Sequence, residues 1–307
     1  MGSTLLVLTG WAMREPLNVE RVTDTDSTLF YFQTLHIARE SADKSCARHG
    51  DSVHTFMKKL FSVIAAILFA GQVWADFSAT CSSGQTLHYK IISTYSVKVT
   101  FPYDGGYTKK PSGELVIPET VSNNGVIYSV TEIGEMAFLE CYDLSSVKIP
   151  SSVKSIGGWA FYGCKNLKKV EYASIESLCS IRFKDDYSNP LTSAHHLYIN
   201  GSEITKLVIP NTVTEISNYA FSGCTCLTSS VAIPKSVTSI GDGAFKNCMN
   251  LTSITIPNSV TEIGGNAFRD CISLTIYCQA KIKHSDWSWS WNSSDCPVVW
   301  GAVYKFK

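Results

Sequence analysis

The feature that most limits what this chain can fold into is one block of residue types that occurs five times. Val130, Ile133, Gly134, Ala137, Phe138 and Cys141 recur as Val153, Ile156, Gly157, Ala160, Phe161 and Cys164. The block returns as Val213, Ile216, Ala220, Phe221 and Cys224, then as Val237, Ile240, Gly241, Ala244, Phe245 and Cys248. Its last copy is Val260, Ile263, Gly264, Ala267, Phe268 and Cys271. Successive copies lie 23, 60, 24 and 23 residues apart. A unit this short has an apolar edge it cannot bury alone, so neighbouring units must stack and share one continuous core. The expectation is a repeat solenoid of about 23-residue units, β-rich with short helical turns, forming a curved array.

Within a unit the residue types assign the local structure. Leu144, Val147 and Ile149 read as a short strand with alternating burial, and Pro150 ends it because proline has no donor for a ladder. The same Ile-Pro stop stands at Ile117-Pro118, Ile209-Pro210, Ile233-Pro234 and Ile256-Pro257. Val153 to Ile156 is again extended, and Gly157 is expected to permit a tight turn of the backbone. Ala160-Phe161 then supplies one small and one large group to plug the interior. Each phenylalanine of the set Phe138, Phe161, Phe221, Phe245 and Phe268 contributes roughly 1.5–3 kcal/mol if fully buried. Cys141, Cys164, Cys224, Cys248 and Cys271 share one slot and are expected to form a ladder of buried thiols. Their 23- and 24-residue spacings do not resemble the close pairs of zinc sites. Cys224-Thr225-Cys226 is tighter than the usual two-residue redox spacing, and Cys278 and Cys296 flank a tryptophan segment where they are candidates for a disulfide.

The unit resembles that of the BspA-like leucine-rich repeat family. The pattern is clearest in Leu251, Ile254, Ile256, Pro257, Ser259, Val260, Ile263, Gly264, Ala267, Phe268, Cys271 and Leu274, and the resemblance covers about residues 77 to 307. It implies a secreted or surface-exposed protein, and some family members resemble adhesins for host or extracellular-matrix proteins. Two departures matter. Ser217 stands where other copies have glycine, and the 60-residue gap before Val213 holds one ordinary unit plus about 37 residues. This longer divergent unit, at about 173–204, has Asn189-Pro190-Leu191 as a turn and Leu197-Tyr198-Ile199 as a strand. Asn200-Gly201 then gives a strong hairpin signal.

The repeats are expected to occupy 114–275, between a β-rich amino-terminal cap at 76–113 and a carboxy-terminal cap at 276–307. Trp287, Trp289, Trp291 and Trp300 belong to the latter; they are expected to close the core, with a sugar-stacking platform as the other reading. Upstream, Met57-Lys58-Lys59, an apolar run from Leu60 to Ala70 and Val73-Trp74-Ala75 match a secretory signal peptide at 57–75, cut before Asp76. The run is short for spanning about 30 Å of hydrocarbon, so an uncleaved anchor ranks second, and no membrane insertion is expected after cleavage. Residues 1–56 carry no periodicity or repeat and read as an upstream extension.

Charge narrows the function further. Lysine plus arginine number 26, as do aspartate plus glutamate, and the first 75 residues hold seven of each, so the remainder also balances. No net field favours nucleic acid or an anionic membrane. The histidines after residue 75, namely His88, His195, His196 and His284, lie in no nucleophile, metalloprotease or phosphate-loop pattern. Neighbouring His195 and His196 read as solvated loop. Acidic residues are scattered singly, whereas hydrolysis requires two converging carboxylates. The sequence therefore points to a non-enzymatic protein with no cofactor or metal that binds an extracellular protein or glycan. The competing class is a structural envelope protein without a specific ligand. Outward positions of the strand face, the expected partner contacts, are Lys148, Glu171, Lys206, Val208, Ala232 and Thr255.

Overall fold

The computed structural model describes residues 76–102, 106, 107 and 109–303. The extension at 1–56 and the signal segment at 57–75 lie outside the described residues, as do residues 304–307. The remainder is a β-solenoid of about seven turns, mostly short strands with little helix. Among the described residues, no helix is long and apolar enough to cross a membrane.

Most turns contribute one strand to each of two parallel ladders. The first ladder contains the Ile-Pro strands and runs Gly113–Val116, Leu144–Ile149, Lys169–Tyr172, Leu197–Ile199. The second contains the Val-x-x-Ile strands: Ser96–Thr100, Val126–Ile133, Ser155–Ile156, Arg182–Phe183. Both ladders stop at the divergent unit and start again beyond it. The first resumes as Val231–Ala232, Ser253–Ile256, Thr275–Cys278 and Val298–Trp300, and the second as Glu215–Ile216, Ser239–Ile240 and Glu262–Ile263. At the amino end, Asp76–Thr80 and Thr86–Ser93 add an antiparallel hairpin to Ser96–Thr100.

The core is the repeat pattern made solid. All five repeat phenylalanines and all five repeat cysteines are buried. Phe221, Phe245 and Phe268 form a continuous stack, with centroids 5.2 and 5.8 Å apart and planes within 15°. Phe138 and Phe161 make a second stack at 5.1 Å. The thiols have a specific use: Cys164 Sγ donates to Phe138 O at 3.3 Å, Cys248 to Phe221 O at 3.2 Å, and Cys271 to Phe245 O at 3.0 Å. Cysteine suits the slot because it is small, apolar and carries a weak donor that reaches the preceding repeat. Burial pushes the Cys164 thiol up to about 12, with Cys141 nearby only partly offsetting it, which keeps this rung protonated at neutral pH.

The glycines have a different cause from the expected one. Gly157, Gly241 and Gly264 do not lie in the left-handed region. A Cβ on Gly157 would sit 2.4 Å from Glu135 N, and one on Gly264 would sit 2.4 Å from Asp242 N. Close approach of the adjacent repeat's backbone excludes a side chain there. Ser217 is tolerated because its neighbour is the divergent unit, where its N–H donates to Cys179 O. The left-handed residues instead precede each Ala-Phe and each cysteine: Met136, Trp159, Tyr219, Gly243 and Asn266 in the first set, and Glu140, Gly163, Gly223, Asn247 and Asp270 in the second.

The divergent unit holds the two halves together by substitution. Ile175–Ser180 is a helix begun by a Ser174 capping box, and Pro190 leads into a second helical turn, Leu191–Ala194, where a plain turn was expected. Between regular repeats the Phe N–H donates to the next repeat's Ala carbonyl, from Phe138 to Ala160 O, from Phe221 to Ala244 O at 2.8 Å and from Phe245 to Ala267 O, whereas Phe161 N donates to Tyr187 O of the divergent unit. At the junction the fully buried side chain of Asn189 does this work, its Nδ2 donating to Tyr219 O at 2.8 Å and Ala220 O at 3.0 Å. Its Oδ1 accepts from Tyr172 Oη at 2.9 Å and Leu191 N at 3.0 Å. At the amino end, Tyr107 Oη donates to Ala137 O at 2.7 Å, filling the position a preceding repeat would occupy. The Asn200-Gly201 hairpin forms as expected, pairing Ile199 with Ser202.

At the carboxy end the ladder continues through the tryptophan segment. Trp287 and Trp291 are 2% and 6% exposed, and Phe268 N donates to Trp291 O at 3.3 Å. Their rings pack on each other and on Trp300 at 5.0–6.4 Å. They are core side chains, while Trp289, at 92% exposure, stands alone. Alternate tryptophans therefore do not make a stacking platform. Cys278 and Cys296 are free buried thiols, and Cys296 Sγ lies against Cys271 O at 3.5 Å.

Candidate binding face

Strand pairing decides which outward side chains meet. Because parallel neighbours align residue to residue, the first ladder places Val116, Lys148, Glu171 and Tyr198 on one line. Beyond the junction Ala232, Thr255, Tyr277 and Val299 form the corresponding line. Of the six expected contacts, Lys148 and Glu171 are adjacent, and so are Ala232 and Thr255. Lys148, Lys206, Val208 and Ala232 are exposed, and Thr255 and Glu171 are partly buried. Lys206 and Val208 fall where the ladder is interrupted and pair with neither group. Tyr198, Tyr277 and Val299 share the line but were not among the expected contacts, because Tyr198 lies in the divergent unit and Tyr277 and Val299 in the carboxy-terminal segment, outside the regular repeats.

The two segments of this face differ in character. On the amino-terminal side, Lys148 Nζ lies 3.1 Å and Lys169 Nζ 3.4 Å from the Glu171 carboxylate, and Lys169 Nζ sits 4.6 Å from the Tyr198 ring centre. Burial pushes the Glu171 carboxyl up, but the two lysines outweigh it and hold it below the usual carboxylate range. Such exposed pairs order side chains more than they stabilise the fold. On the carboxy-terminal side the line is uncharged, with Tyr277 and Val299 exposed.

A second surface has no counterpart in the sequence reading. Trp159, Tyr162 and Tyr187 cluster on the turn edge, with ring centres 5.0–6.4 Å apart, and Trp159 is 48% exposed. Trp159 has φ 57°, a left-handed conformation that costs a residue with a Cβ roughly 1–2 kcal/mol. The chain thus carries strain while presenting an indole to solvent. His195 and His196 are exposed but not merely solvated: His195 ends the short helix in a left-handed conformation with Nδ1 3.0 Å from Gly223 O, and His196 pairs with Glu203. Among the described residues, no three His, Cys, Asp or Glu side chains are grouped to hold a metal ion.

Comparison with known proteins fits this geometry. The model of the BspA type leucine rich repeat region matches in six copies, over residues 122–193 and 192–286. Among solved structures, a leucine rich cell surface protein from Faecalibacterium prausnitzii A2-165 is 28% identical, with a TM-score of 0.43, over 66% of this chain and 54% of its own. The T. pallidum leucine rich repeat protein is 25% identical, with a TM-score of 0.30, over 66% of this chain and 67% of its own. A leucine-rich repeat protein from Bacteroides capillosus is 22% identical, with a TM-score of 0.28, over 66% and 97%. The chain spans about half the length of the first of these, and no curated protein matches it. The matched repeats cover more than half the sequence and supply most strands of both ladders, so the chain belongs to the BspA type leucine-rich repeat family.

Proposed function

We propose that this protein is an exported or cell-surface binding module that holds an extended protein or glycan partner along its strand face. The observation that carries this reading is the register placing Lys148, Glu171 and Tyr198 on one outward line and Ala232, Thr255, Tyr277 and Val299 on another. Rows built from many turns suit extended ligands, and in such interfaces a few contacts dominate the affinity. The core slots, by contrast, are already filled by valine, isoleucine and phenylalanine. Family membership and the name of the Faecalibacterium neighbour support a surface role.

The test is titration against immobilised extracellular-matrix proteins and mucin. Lys148→Glu combined with Lys169→Glu, which removes both cations around Glu171 and Tyr198, is expected to weaken binding by about tenfold, a change of about 1.4 kcal/mol. His195→Ala with His196→Ala is expected to leave it unchanged. The strained exposure of Trp159 favours a second reading, in which the aromatic turn edge is the contact. Loss of binding in Trp159→Ala with Tyr187→Ala, and not in the lysine pair, moves the site there. Unchanged binding in both overturns the strand-face assignment.

Export follows from Met57-Lys58-Lys59, the apolar run and Val73-x-Ala75. The mature chain is expected to begin near Asp76, as amino-terminal sequencing of the exported protein would show. A mature terminus upstream of Met57 is the contrary result.

A further inference from the structure

The thiol ladder fails at one rung. Cys164, Cys248 and Cys271 each donate to the phenylalanine carbonyl of the preceding repeat. Cys224 follows the divergent unit, which offers no equivalent phenylalanine, and its Sγ lies 3.3 Å from Cys226 Sγ instead. Cys226 is itself an exception. Two residues beyond the ladder cysteine, the other repeats have Asp143, Asn166, Asn250 and Ser273. Cys141 begins the ladder and has no repeat phenylalanine before it; among the ladder thiols that follow another unit, Cys224 is thus the one without this carbonyl, and its unit carries a second cysteine in contact with the first.

We propose that Cys224 and Cys226 are a redox-active dithiol that a hydroperoxide converts into an intramolecular Cys-Thr-Cys disulfide at the junction of the two halves of the array. The surroundings divide the roles. Cys224 is fully buried, while Cys226 keeps 7% exposure. Cys226 Sγ accepts from Leu197 N at 3.4 Å, and Cys226 N donates to His195 O at 3.3 Å, so the sulfur is held in place. The contact with Cys224 pulls the Cys226 thiol down to about 7. Burial and Glu203 oppose this; the Leu197 amide and His196 reinforce it. Cys224 is driven the other way, by Cys226 first, then by burial, with Cys248 and Glu203 adding. Cys226 is therefore the nucleophile and Cys224 the resolving thiol.

The chemistry balances. The Cys226 thiolate attacks one peroxide oxygen, an S–O bond forms, the O–O bond breaks, and the released hydroxide takes a proton to leave as water. Cys226 is then a sulfenic acid. Cys224 gives up its proton and attacks Cys226 Sγ; the S–S bond forms, the S–O bond breaks, and a second water leaves. Two thiols lose two electrons and the peroxide gains them. The sulfurs close from 3.3 Å to about 2.0 Å. Closure withdraws Cys226 Sγ from the amide of Leu197, the first residue of the strand Leu197–Ile199, so the redox state is felt at the junction.

The full-length reduced protein, treated with hydrogen peroxide, then denatured and alkylated, gives the test by peptide mass. Residues 207–235 form one tryptic peptide holding both cysteines and no others. It is expected to lack two hydrogens and to resist alkylation, while the peptides of Cys248 and Cys271 alkylate fully. In the untreated native protein, iodoacetamide is expected to label Cys226 at least tenfold faster than Cys248 at pH 7, with the rate half-maximal near pH 7. Cys224→Ser is expected to leave a sulfenic acid at Cys226 that a cyclic 1,3-dione traps. The wild-type mapping needs no variant to fold. Two alkyl groups on peptide 207–235 after peroxide, Cys226 carried on to sulfinic acid, or earlier oxidation of the Cys271 and Cys296 peptides each overturns the proposal.

Discussion

Phe245→Ala is expected to lower the stability of the whole array by about 3–5 kcal/mol, the range for deleting a buried aromatic side chain. Phe245 is fully buried and stacks on Phe221 on one side and Phe268 on the other, so its loss opens a cavity shared by three repeats. Phe138, which stacks on Phe161, is expected to cost less when truncated, because its amino-terminal side meets no other repeat ring. Urea unfolding followed by circular dichroism measures both. Equal midpoints for Phe245→Ala and the wild type would mean that the ring points outward and that the repeat phase is misassigned.

Asn189→Ala is expected to be of similar size and to act differently, by uncoupling the two halves. The amide nitrogen serves two carbonyls and the amide oxygen serves a hydroxyl and an N–H, so truncation orphans several groups in a dry interior. Each group left buried and unpaired costs about 1–3 kcal/mol. Asn189→Asp keeps an acceptor for Tyr172 but turns a carboxylate toward two carbonyls, so no rescue is expected. In a stacked array, stability is a sum of units and interfaces, and weakening one interface divides the cooperative unit. The measurement is hydrogen exchange. Strands after Val231 are expected to exchange on a different timescale from those before Leu197, whereas uniform protection across the junction counts against the bridging role.

How much was legible in the sequence depended on repetition. Residues recurring every 23 positions specify the slots they fill, because a buried slot accepts few side chains. This is why Phe138, Phe161, Phe221, Phe245 and Phe268 all lie in the core, and why the strands before Pro150 and Pro257 end where the proline stands. The glycine after each isoleucine was visible but its cause was not. Spacing cannot reveal that Glu135 N lies where a Cβ on Gly157 would be. The outward row was legible where a unit kept the repeat pattern, so Lys148, Glu171 and Thr255 were found, while Tyr198 in the divergent unit and Tyr277 and Val299 in the carboxy-terminal segment were missed. The aromatic edge was missed for another reason. Trp159 and Tyr162 occupy variable positions, and Tyr187 comes from the divergent unit, which has no period to align.

The sequence by itself determined the solenoid, its period, its core and the rungs at which thiols would lie, since each of these is a local pattern repeated. The tertiary structure alone decided what happens where the pattern breaks. Asn189 reaches Tyr219 and Ala220 across 30 and 31 residues, Ser217 turns to Cys179, and Cys224 turns to Cys226 instead of a phenylalanine carbonyl. A repeat tells each residue its neighbour by symmetry. Where one unit departs from the others that symmetry is lost, and the partners of its buried polar groups follow only from how the chain packs.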